Sequence, residues 1–472
     1  MTSNPWCARF EPFLNRQVIK QRATIAAVPL ENLSGESPER AKALLLHSLE
    51  RLHYVNDQEL DILECFMHRA HAYMGTAYPD LHTFLARLQS ERLELETMPP
   101  VCLTSLAGAG KSELLKAFAR VLPSDEMVSL GAPFTTSFEL QALKSIVVRA
   151  KDSLLQILSQ FLPPDCQPRI EVQPDGTSRT VYPKVPLGLA TELAARKSYS
   201  SGHAIHVLEE LQFLTGSASA STKVVQALMT ISYLNTPMIY AANFSLCHRL
   251  MKRPQEERDR LLGDLIVLLP ELPGSEGLMG VLDEYQVVMK EVLSFNLKDE
   301  ATEIYNMTVG IKRKIKQLTV EAYANFRSSR DDRMTMAHVR AAYRSRTFSA
   351  MREDVKAIQE QAMSRKVVRR RLDLWCPFGS DVNNLQAVAK AAADQATLET
   401  GKRIQEESLG ATQRAALALA RASLARKMNQ ADEGEKVVAL STRSRVPRAL
   451  DAKTLLADTL ASRKQVVDDS TP

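Results

Sequence analysis

The feature that most constrains this chain is the stretch Ser105-Leu106-Ala107-Gly108-Ala109-Gly110-Lys111-Ser112, set between a short apolar run and an amphipathic one. Pro99 and Pro100 stop any preceding helix, Val101-Cys102-Leu103-Thr104 reads as a buried strand, and the residues from Ser112 to Leu122 read as a helix. Strand, glycine-containing loop and helix in this order belong to a parallel α/β layer. Gly108 and Gly110 let backbone N–H groups approach phosphate oxygens, the Lys111 ammonium reaches the outer phosphates, and the Ser112 hydroxyl is placed to ligate Mg²⁺. The pattern ordinarily opens with glycine, and Ser105 stands there instead. With Glu113 as its last residue, the segment predicts binding of ATP and Mg²⁺.

Hydrolysis needs an acidic pair at the end of a neighbouring strand, and Ala204-Ile205-His206-Val207-Leu208-Glu209-Glu210 supplies one. By position Glu209 supports Mg²⁺ and Glu210 polarises the attacking water. The competing reading is a solvated acidic pair at a helix start, where the dipole favours it. The run Met238-Ile239-Tyr240-Ala241-Ala242 ends at Asn243, a position from which an amide holds the lytic water or touches the γ-phosphate. Arg249, Lys252, Arg253, Arg258 and Arg260 follow, and any of them is a candidate to enter a neighbouring subunit's site. Arg258 and Arg260 are favoured, against a solvated helix with internal Glu–Arg pairs. Farther on, Gly310 precedes a helix whose Arg313 is placed to sense the γ-phosphate, although Lys312, Lys314 and Lys316 equally describe a basic, exposed face.

The 472 residues exceed one ordinary core, so two or three units are expected. Residues 1–95 show three- and four-residue apolar spacing and read as a helical N-terminal region; His68 and His71 share a helical face without a third metal ligand. Residues 96–284 form the P-loop unit, in which further apolar runs at 127–130, 204–208, 238–242 and 265–269 alternate with helices and predict a mostly parallel sheet. A β-hairpin insertion is expected around Pro174-Asp175-Gly176, with Arg169, Arg179 and Lys184 available to a polyanion or to solvent. Residues 285–350 read as a small helical lid with Thr335 capping one helix, and 351–472 as a basic, partly helical extension containing a helix at 411–428.

Hydrophobic residues make up 45% and charged residues 24% of the chain, the balance of a protein that buries a substantial core. A formal charge of +5 from 60 basic and 55 acidic side chains is too small an excess to identify a nucleic-acid partner alone. The six cysteines are scattered without CxxC spacing, and no apolar run reaches the roughly 20 residues of a membrane span, so a reducing cytoplasm and no membrane partner are expected.

The stations SLAGAGKS, VLEE, Asn243, the arginine-rich stretch and GIKR follow the order of the AAA+ ATPases over residues 95–345. More narrowly, VLEELQFL, YAANFSLCHRLMKRP, LIVLLPELP and GIKRKIKQLTVEAYANFRSSRDDRMTMAHVRAAY resemble the TnsC and TniB group of transposition regulators. The resemblance implies a P-loop AAA+ parallel sheet with helices on both faces, a small helical lid and helical extensions at both ends. It also implies a regulatory, Mg²⁺-dependent ATPase that forms a homo-oligomeric ring or helical filament on double-stranded DNA when ATP is bound. Such a protein links a target-selector protein to transposase subunits, and hydrolysis permits disassembly. Lys111, Ser112, Glu209, Glu210, Asn243 and Arg313 carry over into the roles given above, and an arginine of one subunit would approach the ATP of the next. An AAA+ remodelling or loading ATPase and a non-hydrolysing ATP-binding scaffold are the competing classes.

Overall fold

The computed structural model describes residues 4–410 apart from 91–92, 94, 130–136, 150–151, 168, 174–176, 182–184, 212–217, 380–381 and 409. The chain divides into two compact units, Met1–Glu399 and Thr400–Pro472. The helix expected at 411–428 lies outside the described residues, and all that follows concerns the first unit.

Among the described residues nine strands are present: β1 (Val101–Ser105), β2 (Glu126–Ser129), β3 (Ser137–Leu140), β4 (Leu143–Val147), β5 (Arg169–Val172), β6 (Ser178–Val181), β7 (Ile205–Glu209), β8 (Met238–Asn243) and β9 (Asp264–Val267). Five of them form a parallel sheet in the order β4-β7-β8-β1-β9. The α/β P-loop sheet with helices on both faces is therefore as the sequence predicted. Strand periodicity sorts the side chains: Val101, Leu103, Ile205, Val207, Ile239 and Ala241 enter one core, while Cys102, Leu208, Tyr240 and Ala242 enter the other. The first core holds helices Asp57–Ala77 and Lys111–Val121, whose Phe66 and Phe118 rings meet edge to face at 5.3 Å. The second holds helices Leu187–Ser200, Ala218–Ser232 and Phe244–Leu250.

The apolar run at 127–130 is not a strand of this sheet. Its described part, β2, pairs antiparallel with β3 in a separate ribbon. The position beside β7 is taken by β4, whose Leu-Lys-Ser-Ile-Val sequence is only partly buried, as suits an edge strand covered on one face. The insertion is present as the antiparallel pair β5–β6, with its expected Pro-Asp-Gly turn outside the described residues.

A third core belongs to helices Glu276–Val288, Ala301–Thr308, Lys312–Arg327, Met336–Arg344 and Ser349–Ser364. Thr335 begins the expected capped helix, its N–H donating to His338 Nδ1 at 3.0 Å. The N-terminal helices are divided between cores. Pro38–Arg51 sends Ala41, Leu45 and Leu49 into the lid core, whereas Asp57–Ala77 belongs to the sheet. Asn56 separates the two and starts the second helix through a capping box with Glu59. The short link between these helices consequently runs beside the carboxyl edge of the sheet, where the P-loop lies.

Candidate nucleotide-binding site

Gly108 and Gly110 have φ of +86° and +126°, a region in which a side chain would be strained. The loop they shape ends at Lys111, the first residue of helix Lys111–Val121. Lys111 Nζ donates to Ser105 Oγ at 2.8 Å and to the Ser105 and Leu106 carbonyls at 3.3 and 3.4 Å. Ser105, the departure from the usual pattern, thus gives the ammonium a hydroxyl partner. Burial, with the Arg313 guanidinium adding to it, lowers the Lys111 ammonium to about 8.

The Ser112 side chain is close enough to the Glu209 carboxyl to hold it down, so the two oxygen donors expected at Mg²⁺ are neighbours. Burial raises the Glu209 carboxyl above its ordinary value, with Glu210 adding and Ser112 opposing. A hydroxyl and a carboxylate are hard oxygen ligands of the kind Mg²⁺ takes. Among the described residues no group of three or more His, Cys, Asp or Glu residues is arranged to hold a metal, so phosphate oxygens and water would have to complete the coordination.

Glu210 follows β7 with φ +63°, an uncommon conformation for a residue with a long side chain. Asn243 closes β8 directly beside Ser105 in the β1–β8 register, and its side chain makes no capping bond to the helix it precedes. Arg313 arrives from the lid, its N–H donating to the Gly108 carbonyl at 3.0 Å. Lys111, Ser112, Glu210, Asn243 and Arg313 all line one cleft, together with Ala107, Gly108, Gly110 and Glu113 of the loop. Leu106 and Ala109 are buried behind it.

Arg258 and Arg260 lie on helix Gln255–Leu262 and do not line this cleft. Arg258 pairs with Asp259 at 3.2 Å, and Arg260 donates to the Tyr233 hydroxyl at 3.0 Å while stacking 4.2 Å over its ring. Lys312, Lys314 and Lys316 are not an exposed face: each is at least half buried and paired, with Glu59, Asp354 and Glu50 respectively.

Sequence spacing did not identify the far end of the cleft. It is formed by Leu52, His53 and Tyr54 of the N-terminal link and by Val281 and Tyr285 of helix Glu276–Val288. Tyr54 lies against Gly280, where a Cβ would stand 2.2 Å from its ring. His53 is 4% exposed, and burial followed by the Lys312 charge lowers it to about 3, so its ring is neutral. The signal available was the break between two amphipathic helices, which marks a link but not what it faces.

No family model matches the chain, and no curated protein matches it. It is similar to the ORC1 protein of Aeropyrum pernix in complex with DNA, at 16% identity over 64% of this chain and 68% of that one, with a TM-score of 0.37. It is also similar to Drosophila ORC bound to DNA, at 13% identity over 83% and 92% of the two chains, with a TM-score of 0.36. The RuvB Holliday junction branch migration motor of Thermotoga maritima shares 13% identity over 67% and 86%, with a TM-score of 0.31. Likenesses this low carry no conclusion about the site, which stands on its own geometry. Among the described residues no helix is long and apolar enough to cross a membrane.

Proposed function

We propose that the chain is a Mg²⁺-dependent ATPase of the AAA+ type. The observation that carries this reading is the meeting of Lys111, Ser112, Glu210, Asn243 and Arg313 in one cleft, from the ends of β1, β7 and β8 and from the lid. Lys111 and the loop N–H groups hold the β- and γ-phosphates. Ser112 and Glu209 are the pair that would hold Mg²⁺, which supplies charge neutralisation between the phosphates when bound. Glu210 takes the proton of the attacking water, Asn243 orients that water, and Arg313 offsets charge developing on the γ-phosphate. Arg258 or Arg260, away from the cleft of their own chain, is assigned to the cleft of a neighbouring copy.

The finer reading is a regulator of DNA transposition of the TnsC and TniB kind. It assembles as a ring or filament on duplex DNA with ATP, joins a target selector to transposase subunits in the cytoplasm, and disassembles on hydrolysis. The segments YAANFSLCHRLMKRP and GIKRKIKQLTVEAYANF support it. In this reading 96–284 is the ATPase, 285–350 the lid, and 1–95 and 351–472 the extensions that meet partners.

The test is assembly on duplex DNA, followed by negative-stain imaging and salt-titrated binding for the wild type and Lys111→Ala with ATP, a slowly hydrolysed analogue and ADP. Ordered assemblies are expected only for the wild type with triphosphate. Glu210→Gln should retain them while phosphate release falls by about 10²-fold or more. Binding indifferent to nucleotide, with no assembly, removes the transposition reading. Unchanged phosphate release in Glu210→Gln leaves an ATP-binding scaffold.

A further inference from the structure

Beneath the P-loop lies a buried ionic cluster that the catalytic roles above do not use. Lys312 Nζ is 2.6 Å from Glu59 Oε1, a carboxylate with no exposed surface, and 3.7 Å from Glu271 Oε1. Glu59 sits in the first turn of helix Asp57–Ala77 and Glu271 in the segment after β9, so three distant parts of the chain meet on one ammonium. Asn56 joins both acids: its Oδ1 accepts from the Glu59 N–H at 2.7 Å and its Nδ2 donates to Glu271 Oε1 at 2.6 Å. Glu271 is tied in turn to the lid, its N–H donating to the Gly310 carbonyl at 3.1 Å.

The cluster touches the P-loop itself. A Cβ at Gly110 would stand 3.5 Å from Glu59 Oε1 and equally from Lys312 Cδ. One residue along the same helix, Arg313 donates its N–H to Gly108 and its side chain lines the cleft. Lys312 lines the same cleft, and because successive helical residues point about 100° apart, it reaches the cleft from a different direction than Arg313 while holding Glu59. Lys312 and Arg313 ride on one helix, so rotating or withdrawing Lys312–Arg327 moves Arg313 and strains the Lys312–Glu59 contact together.

We propose that Glu59 and Lys312 are positioning residues for the nucleotide, an ion pair through which the N-terminal helical layer sets where the lid holds Arg313 over the P-loop. The proposal rests on the ATP reading and adds a regulatory route to it. Any partner that shifts helix Asp57–Ala77 changes triphosphate affinity through Arg313, without touching the cleft.

Two carboxylates share one lysine, so Glu59→Gln leaves a balanced Lys312–Glu271 pair and retains the shape of the side chain. The full chain with Glu59→Gln, Lys312→Met, Lys312→Arg, Arg313→Ala and the double variant Glu59→Gln/Arg313→Ala is titrated with mant-ATP and mant-ADP in Mg²⁺, with thermal melts in parallel. Glu59→Gln and Lys312→Met are expected to weaken mant-ATP binding about tenfold and mant-ADP binding less than about threefold, within the range of an ordinary coupling free energy. Lys312→Arg should recover most of the loss, and Glu59→Gln should add little to Arg313→Ala, because both act through one group. Unchanged mant-ATP affinity in the folded variants overturns the proposal. Equal losses for the two nucleotides, or additive effects with Arg313→Ala, also overturn it. A wild type that binds neither nucleotide overturns the ATP reading and this one together, whereas a binding wild type with indifferent variants overturns only this one.

Discussion

Ser105 shows how one atom sets the surroundings of a charged group. Its Oγ accepts from Lys111 Nζ at 2.8 Å and itself donates to the Leu106 carbonyl at 2.8 Å, so the ammonium has a hydroxyl partner within the loop. A hydrogen bond to a charged group contributes about 1.5–3 kcal/mol, and Lys111 must give up part of this one to reach a nucleotide. Ser105→Ala is accordingly expected to destabilise the nucleotide-free chain by about 1–2 kcal/mol and to tighten ATP binding several-fold, up to about tenfold. Chemical denaturation without nucleotide and a binding isotherm check the two halves, and weaker ATP binding in the variant would contradict the argument. Spacing within one strand, loop and helix was enough to bring Lys111 and Ser112 to the cleft, and neighbouring strand ends were enough for Glu210 and Asn243, while Glu209 is not among the residues that line it. His53, Tyr54 and Tyr285 reach the same cleft from residues distant in sequence whose local patterns carry no chemistry. Only tertiary packing places them.

Among the elements, the strands buried on both faces were legible, as were the edge strand β9 and the β5–β6 hairpin, whereas the edge strand β4 was not. β1, β7 and β8 are continuous apolar runs because helices cover both sides of the sheet, whereas β4 covers an edge and alternates weakly. The run at 127–130 drew attention by hydrophobicity, yet Met127 is 60% exposed on a two-stranded ribbon. The lid was legible as helices, but the way it is hinged was not. Val309 and Gly310 have φ of +53° and +66°, and a Cβ at Gly310 would stand 2.0 Å from the Glu271 carbonyl oxygen, a backbone atom that cannot swing aside. Gly310→Ala therefore combines left-handed strain with a clash at the joint between the segment after β9 and the lid. A loss of about 1–3 kcal/mol in stability is expected, together with weaker triphosphate binding, because Arg313 lies three residues on. Denaturation midpoints with and without ATP measure both, and a variant that melts and binds like the wild type would show that this joint has slack.

Across the whole molecule, stability should depend on pH through histidines held neutral by burial. His53 and His203 are lowered to about 3 and His206 well below its ordinary value, in each case chiefly by burial, with positive neighbours contributing. The folded chain therefore leaves these rings unprotonated down to about pH 3, while the unfolded chain protonates them below about pH 6.5. More protons bound in the unfolded state means that stability falls as pH falls through this window, by about 1.4 kcal/mol per pH unit for each fully engaged histidine. His206 is the most informative of the three. Its ring packs 4.7 Å from Phe161, and neither ring nitrogen has a hydrogen-bond partner among the described residues. Replacing it with phenylalanine removes a buried polar group that is already unsatisfied, so His206→Phe should stabilise the chain at neutral pH and lessen the fall below pH 6.5 by about one third of the combined histidine effect. Urea midpoints measured from pH 7.5 to 5.5 give both slopes. Equal slopes for the variant and the wild type would mean that His206 takes up a proton in the folded state, which requires a partner or an opening that the packing around it does not provide.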